Sequence, residues 1–178
     1  MIRATLMGVL VATAGMTAPA VSSPGSQDFR AVLVGFNEIG ELNAETGAIL
    51  SPGTGTLDLK LDVNSQTLTF TLKFQNLSAP VTQAHIHFGK VHTPGGVMVF
   101  FCSNLSTAPA GTQPCPANGG TVTGTLTAAN VQAITGQNVP AGDFAAVEEA
   151  LLSDTAYANV HTTAFPAGEI RGQLTREF

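Results

Sequence analysis

The sequence predicts an all-β protein, an antiparallel sandwich with one short helix. Long stretches alternate apolar and polar residues with a period of two, which is the periodicity of strands that bury one face. Turn-forming residues separate these stretches, since 19 Gly and 10 Pro are spread through the 178 residues. Roughly eight strands with one helical stripe make the pattern expected of an antiparallel sandwich or barrel.

The first twenty residues are expected to lie outside this fold. A short positive start at residues 1–3 is followed by an apolar run without charge that reaches Met16. Ala18-Pro19-Ala20 then offers small residues where a signal peptidase cleaves, so residues 1–20 are predicted to be a cleaved signal peptide. A membrane anchor is the alternative, but the run is shorter than the ~20 residues that span a bilayer. Residues 21–28 are polar and are predicted to be a flexible leader, which leaves residues 29–178 as one domain.

The composition limits the partners. The formal net charge is −5, and the seven Lys and Arg are scattered singly along the chain. Nucleic acids and anionic lipids are bound through clustered positive charge, so neither is expected as a partner. No transmembrane segment is expected after signal cleavage, and we predict an exported protein, secreted or periplasmic.

Within the domain, the apolar pattern places the strands and the helix in order. Strands are predicted at residues 29–36, 55–63, 67–74, 81–88, 97–102 and 121–126, with two more between 157 and 174. The segments 55–63 and 67–74 alternate across the turn Asn64-Ser65-Gln66, which is the strongest hairpin signal in the chain. Residues 37–54 are rich in Gly, Glu and Pro and are predicted to be a long loop. Residues 143–152 are predicted to form the helix, because Asp143 can cap it and apolar residues recur on one stripe.

Cys102 and Cys115 are the two cysteines of the chain. In an exported protein an even pair is typical of a disulfide. This one would close a loop dense in Pro and Gly, for which the chain-entropy account gives about 3 kcal/mol of stabilisation. A thiol metal site or a catalytic cysteine is the alternative, and the absence of further cysteines disfavours it.

The stretch 157–174 is expected to fold as a hairpin with one apolar and one polar face, because side chains alternate along a strand. The polar face carries Tyr157, Asn159 and His161 from the first strand and Glu169, Arg171 and Gln173 from the second. The segment 84–88 repeats this design, since His85 and His87 share one side of their strand and apolar residues take the other. We expect these two segments to carry the function.

The histidines are the sharpest candidates for chemistry. Alternate residues of a strand lie about 6.6 Å apart, so His85 and His87 can converge on one metal ion at about 2.0–2.1 Å. His161, if it lies on a neighbouring strand, completes three nitrogens with one position open, the geometry of catalytic zinc or of copper. His92, in the following loop, is a candidate fourth ligand. The alternative is that these histidines hydrogen-bond within a polar sheet face, because His-x-His is a weak motif on its own.

Asn159, Glu169 and Arg171 are the candidate supporting residues. Glu169 is placed to accept the second ring proton of a ligating histidine and so to fix its tautomer. The alternative is a salt bridge between Glu169 and Arg171, which are neighbours on one strand face, within a structural polar network that includes Asn159.

Five segments resemble the CHRD (chordin-type) domain family. They are Leu33-Val-Gly-Phe-Asn-Glu38, Gly55-Thr-Leu-Asp-Leu-Lys-Leu-Asp62, Leu68-Thr-Phe-Thr-Leu-Lys-Phe-Gln-Asn-Leu77, Ala84-His-Ile-His-Phe-Gly89 and Tyr157-Ala-Asn-Val-His-Thr-Thr-Ala-Phe-Pro-Ala-Gly-Glu-Ile-Arg-Gly-Gln-Leu174. The spacing of Asn-Val-His-Thr and Pro-x-Gly-Glu-Ile-Arg-Gly makes the last segment specific. The chain is thus similar to secreted bacterial members of this family, and we expect residues 29–178 to be a CHRD domain folded as an immunoglobulin-like or superoxide-dismutase-like sandwich.

The resemblance implies little about activity, because the family has no settled reaction, and an enzyme is not expected. The first hypothesis is a non-enzymatic extracellular binding or structural module whose polar face engages an unknown protein or surface partner. The second is a copper- or zinc-binding protein built on His85, His87 and His161, with redox or hydrolytic activity. The His-x-His strand is also similar to that of copper-zinc superoxide dismutase. Four histidines cannot supply the two-metal site of that enzyme, so only a single-copper variant fits.

Overall fold

The computed structural model describes residues 25–42 and 45–177. Its elements are β1 (Ser26–Val34), β2 (Gly40–Leu42), β3 (Glu45–Gly47), β4 (Thr54–Asp62), β5 (Thr67–Gln75), β6 (Val81–Phe88), β7 (Gly96–Ser103), β8 (Gly120–Leu126), α1 (Phe144–Leu152), β9 (Ala156–Thr162), β10 (Ile170–Gln173) and β11 (Thr175–Arg176). The predicted all-β class with one short helix is confirmed for this part of the chain. The predicted signal peptide lies outside the described residues.

Most of these strands form one antiparallel sheet in the order β7-β6-β9-β10-β1-β4-β5-β8, with β11 paired to β1. The sheet curls until its two end strands approach each other. Phe101 of β7 packs on Phe70 of β5 with 4.6 Å between ring centres, and residues of β7 and β8 line one cleft. The predicted sandwich is therefore a single, nearly closed sheet wrapped around its own core.

The β4–β5 hairpin shows how the alternating sequence builds this core. The two strands pair along their whole length, with Leu59 opposite Phe70. Every second residue of each strand is buried, and a fully buried apolar side chain contributes roughly 1.5–3 kcal/mol. The opposite face remains in solvent and carries charged residues. The same interior receives apolar side chains from the other strands and from α1, including Leu33, Ala84, Ile86, Met98, Phe144, Val147, Ala158, Val160, Ile170 and Leu174.

Two boundaries differ from the sequence prediction. The last residues of the predicted flexible leader belong to β1, because this strand pairs with β4 over its full length and begins with Ser26 opposite Asp62. Asp28 of that segment also lies 3.6 Å from the ammonium group of Lys60. The predicted loop at 37–54 contains the short hairpin β2–β3, which forms a separate two-stranded sheet.

Two local predictions are confirmed. Cys102 at the end of β7 is disulfide-bonded to Cys115, so the bond closes the loop that connects the two end strands. Asp143 caps α1 by accepting a hydrogen bond from the backbone N–H of Ala146 at 3.1 Å. None of the described helical segments has the length and apolar character needed to traverse a bilayer.

Candidate metal centre

The predicted histidine pair lies on the outer face of β6, the side that points away from the apolar core. β6 pairs with β9 so that His85 faces Asn159, His87 faces Tyr157, and His161 lies opposite Gln83. The strand β9 is buried at all seven positions, including the polar ones. The outer face of this part of the sheet is thus covered, whereas alternation alone predicts an open polar surface.

The three histidines converge in this covered region. His85, His87 and His161 each offer one ring nitrogen, and these three atoms lie within 4.8 Å of one another. The side chains are almost inaccessible to solvent, with 1% of His85, 8% of His87 and 5% of His161 exposed. Within the part of the chain that the structure describes, no carboxylate or thiolate joins this group. The structure therefore brings together the three histidines that the sequence names as candidate ligands.

Backbone carbonyl groups fix two of the three rings. Nδ1 of His87 lies 2.8 Å from the carbonyl oxygen of Gly95, and Nδ1 of His161 lies 2.8 Å from that of Pro166. A carbonyl oxygen only accepts, so each Nδ1 carries the proton and each Nε2 presents a lone pair. This arrangement of a ring N–H held by a carbonyl is the usual outer support of a metal-binding histidine.

The ring of His85 lies between those of His87 and His161, and its Nδ1 has two possible hydrogen-bond partners. Its Nδ1 is 3.0 Å from Nε2 of His87 and 3.3 Å from Oδ1 of Asn159. Its Nε2 is buried and makes no hydrogen bond to the described residues, and the same is true of Nε2 of His161. A buried polar atom without a partner costs roughly 1–3 kcal/mol. Two such atoms lie in this one cluster of histidines.

The electrostatic surroundings keep the three rings neutral. Burial lowers the pKa of His87 to about 4 from its ordinary 6.5. Burial also lowers the pKa of His161. It lowers the pKa of His85 to well below the ordinary value, and the neighbouring rings of His161 and His87 lower it further by charge repulsion. All three imidazoles are therefore unprotonated at neutral pH, which is the form that binds metals.

A stack of planar groups holds one covering loop over the site. The ring of Tyr157 lies parallel to that of His87, 4.7 Å away, and the guanidinium carbon of Arg171 lies 3.3 Å from the centre of the Tyr157 ring. Arg171 donates hydrogen bonds to the carbonyl groups of Lys90 and Thr93, at 3.1 and 2.9 Å. The backbone N–H of Gly95 also donates to the Tyr157 hydroxyl group at 3.2 Å. Arg171 thus anchors the loop that supplies the carbonyl partner of His87.

Glu38 also contributes to this region, and sequence reasoning missed it. Glu38 is 6% exposed, and its carboxylate packs against Gly168 beside the Asn159 amide. Its Oε2 has no hydrogen-bond partner among the described residues. Burial raises the pKa of Glu38, although the Ile39 N–H, the charge of Arg171 and the Asn159 amide oppose this. The available signal is its position at the end of the CHRD-like segment 33–38, just after β1, where the sequence predicts the start of a loop.

Gly168 has to be glycine for two reasons. Its φ angle is +137°, a conformation that side chains disfavour. A Cβ atom would also collide with the Glu38 carboxylate, and it would lie 3.0 Å from the Asn159 amide nitrogen.

Two predicted site residues lie elsewhere. His92 is exposed on the loop after β6 and is not one of the three converging histidines. Glu169 supports no histidine and forms no salt bridge with Arg171, because it precedes β10 and points to other partners. Its carboxylate accepts hydrogen bonds from the Ser51 hydroxyl, the Ser78 N–H and the Thr162 hydroxyl, at 2.6, 2.8 and 2.7 Å. Burial opposes ionisation of Glu169, but these bonds outweigh it and lower its pKa.

The predicted partner-binding face needs a related correction. Tyr157, Asn159 and Arg171 are only 2–3% exposed. Loops that contain Glu38, Gly95 and Pro166 contact this face, so it is not an open surface for a protein partner.

The model of the CHRD domain family matches residues 29–174. No curated protein and no solved structure matches the chain.

Proposed function

The chain belongs to the CHRD domain family, and we propose that it is an exported module that binds one copper or zinc ion through His85, His87 and His161. Family membership supports an extracellular binding module in general terms. The observation that carries the proposal of a metal ligand is the group of three buried ring nitrogens within 4.8 Å. The proposed activity is binding, and no reaction is assigned.

The donor set fits these two metals. Imidazole nitrogen is a ligand that zinc and copper accept, whereas calcium and magnesium require oxygen ligands. Two nitrogens bound to one metal at about 2.05 Å with a tetrahedral angle lie about 3.3 Å apart. The 3.0 Å distance between Nδ1 of His85 and Nε2 of His87 therefore needs to lengthen by only a few tenths of an ångström, while the ring of His161 moves toward the ion.

The cluster is also prepared for binding before any ion arrives. The rings are neutral, so few protons have to leave at neutral pH. The carbonyl groups of Gly95 and Pro166 orient two of the rings. An ion would satisfy Nε2 of His161, which removes the cost of leaving this buried atom unpartnered.

Export of the protein is consistent with its one disulfide. The bond between Cys102 and Cys115 is of the kind that persists in oxidising compartments. Together with the signal sequence expected at residues 1–20, this supports a location outside the cytoplasm, where the module would bind metal in the periplasm or the medium.

Metal analysis of protein purified without a histidine tag tests the proposal. We expect one copper or zinc ion per chain after reconstitution and dialysis, and loss of this ion in His161→Ala. The matched control is His92→Ala, which removes an exposed histidine outside the cluster and should retain the ion. Protein that stays metal-free after reconstitution, with the same melting temperature in chelator and in metal, would instead support a purely structural histidine network.

A further inference from the structure

Resting on the metal site proposed above, we infer that the three histidines select monovalent copper over divalent copper and zinc. Four features of the site favour an ion of charge +1 over an ion of charge +2. They are the neutral ligands, the burial of the site, the neighbouring Arg171 and the number of donor atoms.

The ligands bring no negative charge. Among the described residues, the cluster contains three neutral imidazoles and no carboxylate or thiolate. A bound ion therefore keeps its full charge within the site, as +1 for Cu⁺ or +2 for Cu²⁺ and Zn²⁺. Divalent zinc sites are often built with thiolate or carboxylate ligands, which offset that charge.

The site is poorly solvated. Between 1% and 8% of each histidine side chain is exposed, and Phe100 packs edge-on against His85 with 4.7 Å between ring centres. The cost of moving an ion from water into such surroundings grows with the square of its charge, so a divalent ion loses about four times as much hydration energy as a monovalent ion. Burial without compensating charge thus favours Cu⁺.

The positive charge of Arg171 also favours a monovalent ion. Arg171 lies 3.3 Å from the centre of the Tyr157 ring, which itself stacks on His87. Its charge acts on His87, and a positive charge repels a divalent ion about twice as strongly as a monovalent ion at the same distance. Glu38 is the carboxylate of this region, and it lies beside Arg171 and Asn159 rather than in the histidine cluster. Burial raises the pKa of Glu38, which opposes the ionised form that would offset the charge of Arg171.

The number of donors also distinguishes the ions. Zn²⁺ is almost always four-coordinate, and a three-histidine zinc site completes its shell with water or substrate. Cu⁺, a closed-shell ion, is stable with three ligands. The cluster supplies three nitrogens in a covered region, and His92, the remaining histidine, is exposed on a loop. The donor count therefore matches Cu⁺ without a further ligand.

Competition titrations test the inference on the folded chain. Cu⁺ is titrated anaerobically with ascorbate against a chromogenic Cu⁺ chelator, and Zn²⁺ and Cu²⁺ are titrated against chelators of known affinity. We expect Cu⁺ to bind one per chain, with a dissociation constant at least about a hundredfold lower than that of Zn²⁺ or Cu²⁺. Copper added as Cu²⁺ should lose its electron paramagnetic resonance signal when ascorbate is added and should remain bound.

A change of charge next to the cluster provides a second measurement. Asn159→Asp is close to isosteric and, in a Glu38→Gln background that removes the carboxylate beside it, places a negative charge where Oδ1 now lies, 3.3 Å from Nδ1 of His85. It should narrow the preference for Cu⁺ over Zn²⁺ by about tenfold or more. Asn118→Asp adds the same charge at an exposed position in the loop before β8 and should leave the preference unchanged.

The results of these titrations distinguish a failure of Cu⁺ selectivity from a failure of the metal site itself. Zn²⁺ or Cu²⁺ bound as tightly as Cu⁺, and lost in His161→Ala, would overturn the selectivity and keep the metal site. An unchanged preference in Asn159→Asp, or an equal change in Asn118→Asp, would also overturn the selectivity argument. Failure of all three ions to bind would overturn both the site and its selectivity.

Discussion

The outer face of the sheet differs between its two halves. Across β1 and β4 it carries charged side chains in solvent, such as Arg30, which lies 3.2 Å from Asp58 with both side chains about half exposed. Across β6, β9 and β10 it carries three histidines, a tyrosine, an asparagine and Arg171 beneath loops. Both halves alternate with a period of two, and both bury apolar residues on the inner face.

This difference shows what covering a polar face demands. A charged pair in solvent is satisfied by water and contributes little, whereas a covered polar group needs a partner from the protein or from a ligand. Arg171 and Glu169 have such partners. Among the described residues, the buried side-chain atoms without one include Oγ of Ser26 and Oε1 of Gln27 on β1, and Nε2 of His85, Nε2 of His161 and Oε2 of Glu38 on the covered half. Only on the covered half do such atoms belong to a group of three converging histidines.

Replacing one arginine in each half of the outer face should give the largest difference in unfolding free energy. Arg171→Gln leaves the carbonyl groups of Lys90 and Thr93 without their donor and uncovers the Tyr157 ring, which should lower the free energy of unfolding by about 3 kcal/mol. Arg30→Gln removes only an exposed ion pair and should cost about 0.2–1 kcal/mol. Urea denaturation of both variants measures this. Equal losses would show that the covering loop contributes no more than the exposed face.

Acidification should destabilise the metal-free protein through its covered histidines. Between pH 6.5 and 4 the unfolded chain gains a proton at residue 87, whereas the folded chain does not until about pH 4. Stability therefore falls as the pH falls, by about 2 kcal/mol at pH 5 and about 3 kcal/mol at pH 4 for His87 alone. His85 and His161 shift in the same direction and add to the loss.

Denaturation at several pH values in chelator checks this expectation. The range from pH 7 to 5 excludes Glu169, because its pKa is lowered and its contribution is lost only as the pH falls through and below 4.5. Glu38 has a raised pKa, so its protonation stabilises the folded chain as the pH falls and opposes the histidines; Glu38→Gln removes this opposing contribution. His87→Gln should reduce the slope, whereas His92→Ala should keep it. A flat profile in the unmodified protein would mean that the histidines are solvated, contrary to their burial.

A bound ion should stabilise the protein through the same residues. At a free metal concentration one hundred times the dissociation constant, the free energy of unfolding should rise by about 2.7 kcal/mol. Thermal melting with and without Cu⁺ measures the rise. The rise should be absent in His161→Ala and unchanged in His92→Ala, and stabilisation of all three proteins alike would point to binding elsewhere.

Neutralising the buried carboxylate of Glu169 should cause the smallest of these changes in stability. Glu169→Gln keeps the size of the side chain but replaces one acceptor oxygen by an amide donor, which mismatches the hydrogen bonds from Ser51, Ser78 and Thr162. We expect a loss of about 2 kcal/mol in unfolding free energy, against less than about 0.5 kcal/mol for Glu149→Gln on the exposed side of α1. A negligible loss in Glu169→Gln would show that the three donors are satisfied equally well by an amide.

Several parts of this architecture could be predicted from local sequence. The β4–β5 hairpin follows from alternation around one short turn, and α1 follows from Asp143 and the apolar stripe behind it. The pairing of Cys102 with Cys115 followed from cysteine count and the expectation of export. The placement of His85 and His87 on one side of β6 required only the period of a strand.

Other parts depended on contacts between distant segments. His161 joins the pair because β9 lies beside β6, with Asn159 meeting His85 across 74 positions of sequence. The hydrogen-bond partners of Glu169 include Ser51 and Ser78, which lie 118 and 91 positions away in the sequence. Local patterns carry no information on such neighbours.

The amino-acid sequence by itself determined which residues share a strand face, because alternation is a property of the backbone at each residue. Only the tertiary structure decided which polar face is covered and which three imidazoles converge. Strand order and the paths of the loops at 35–38, 89–95 and 163–168 set the burial of that face, and burial controls the protonation and hydrogen bonding of its histidines. The same His-x-His pattern on the open half of the sheet would be a pair of solvated side chains.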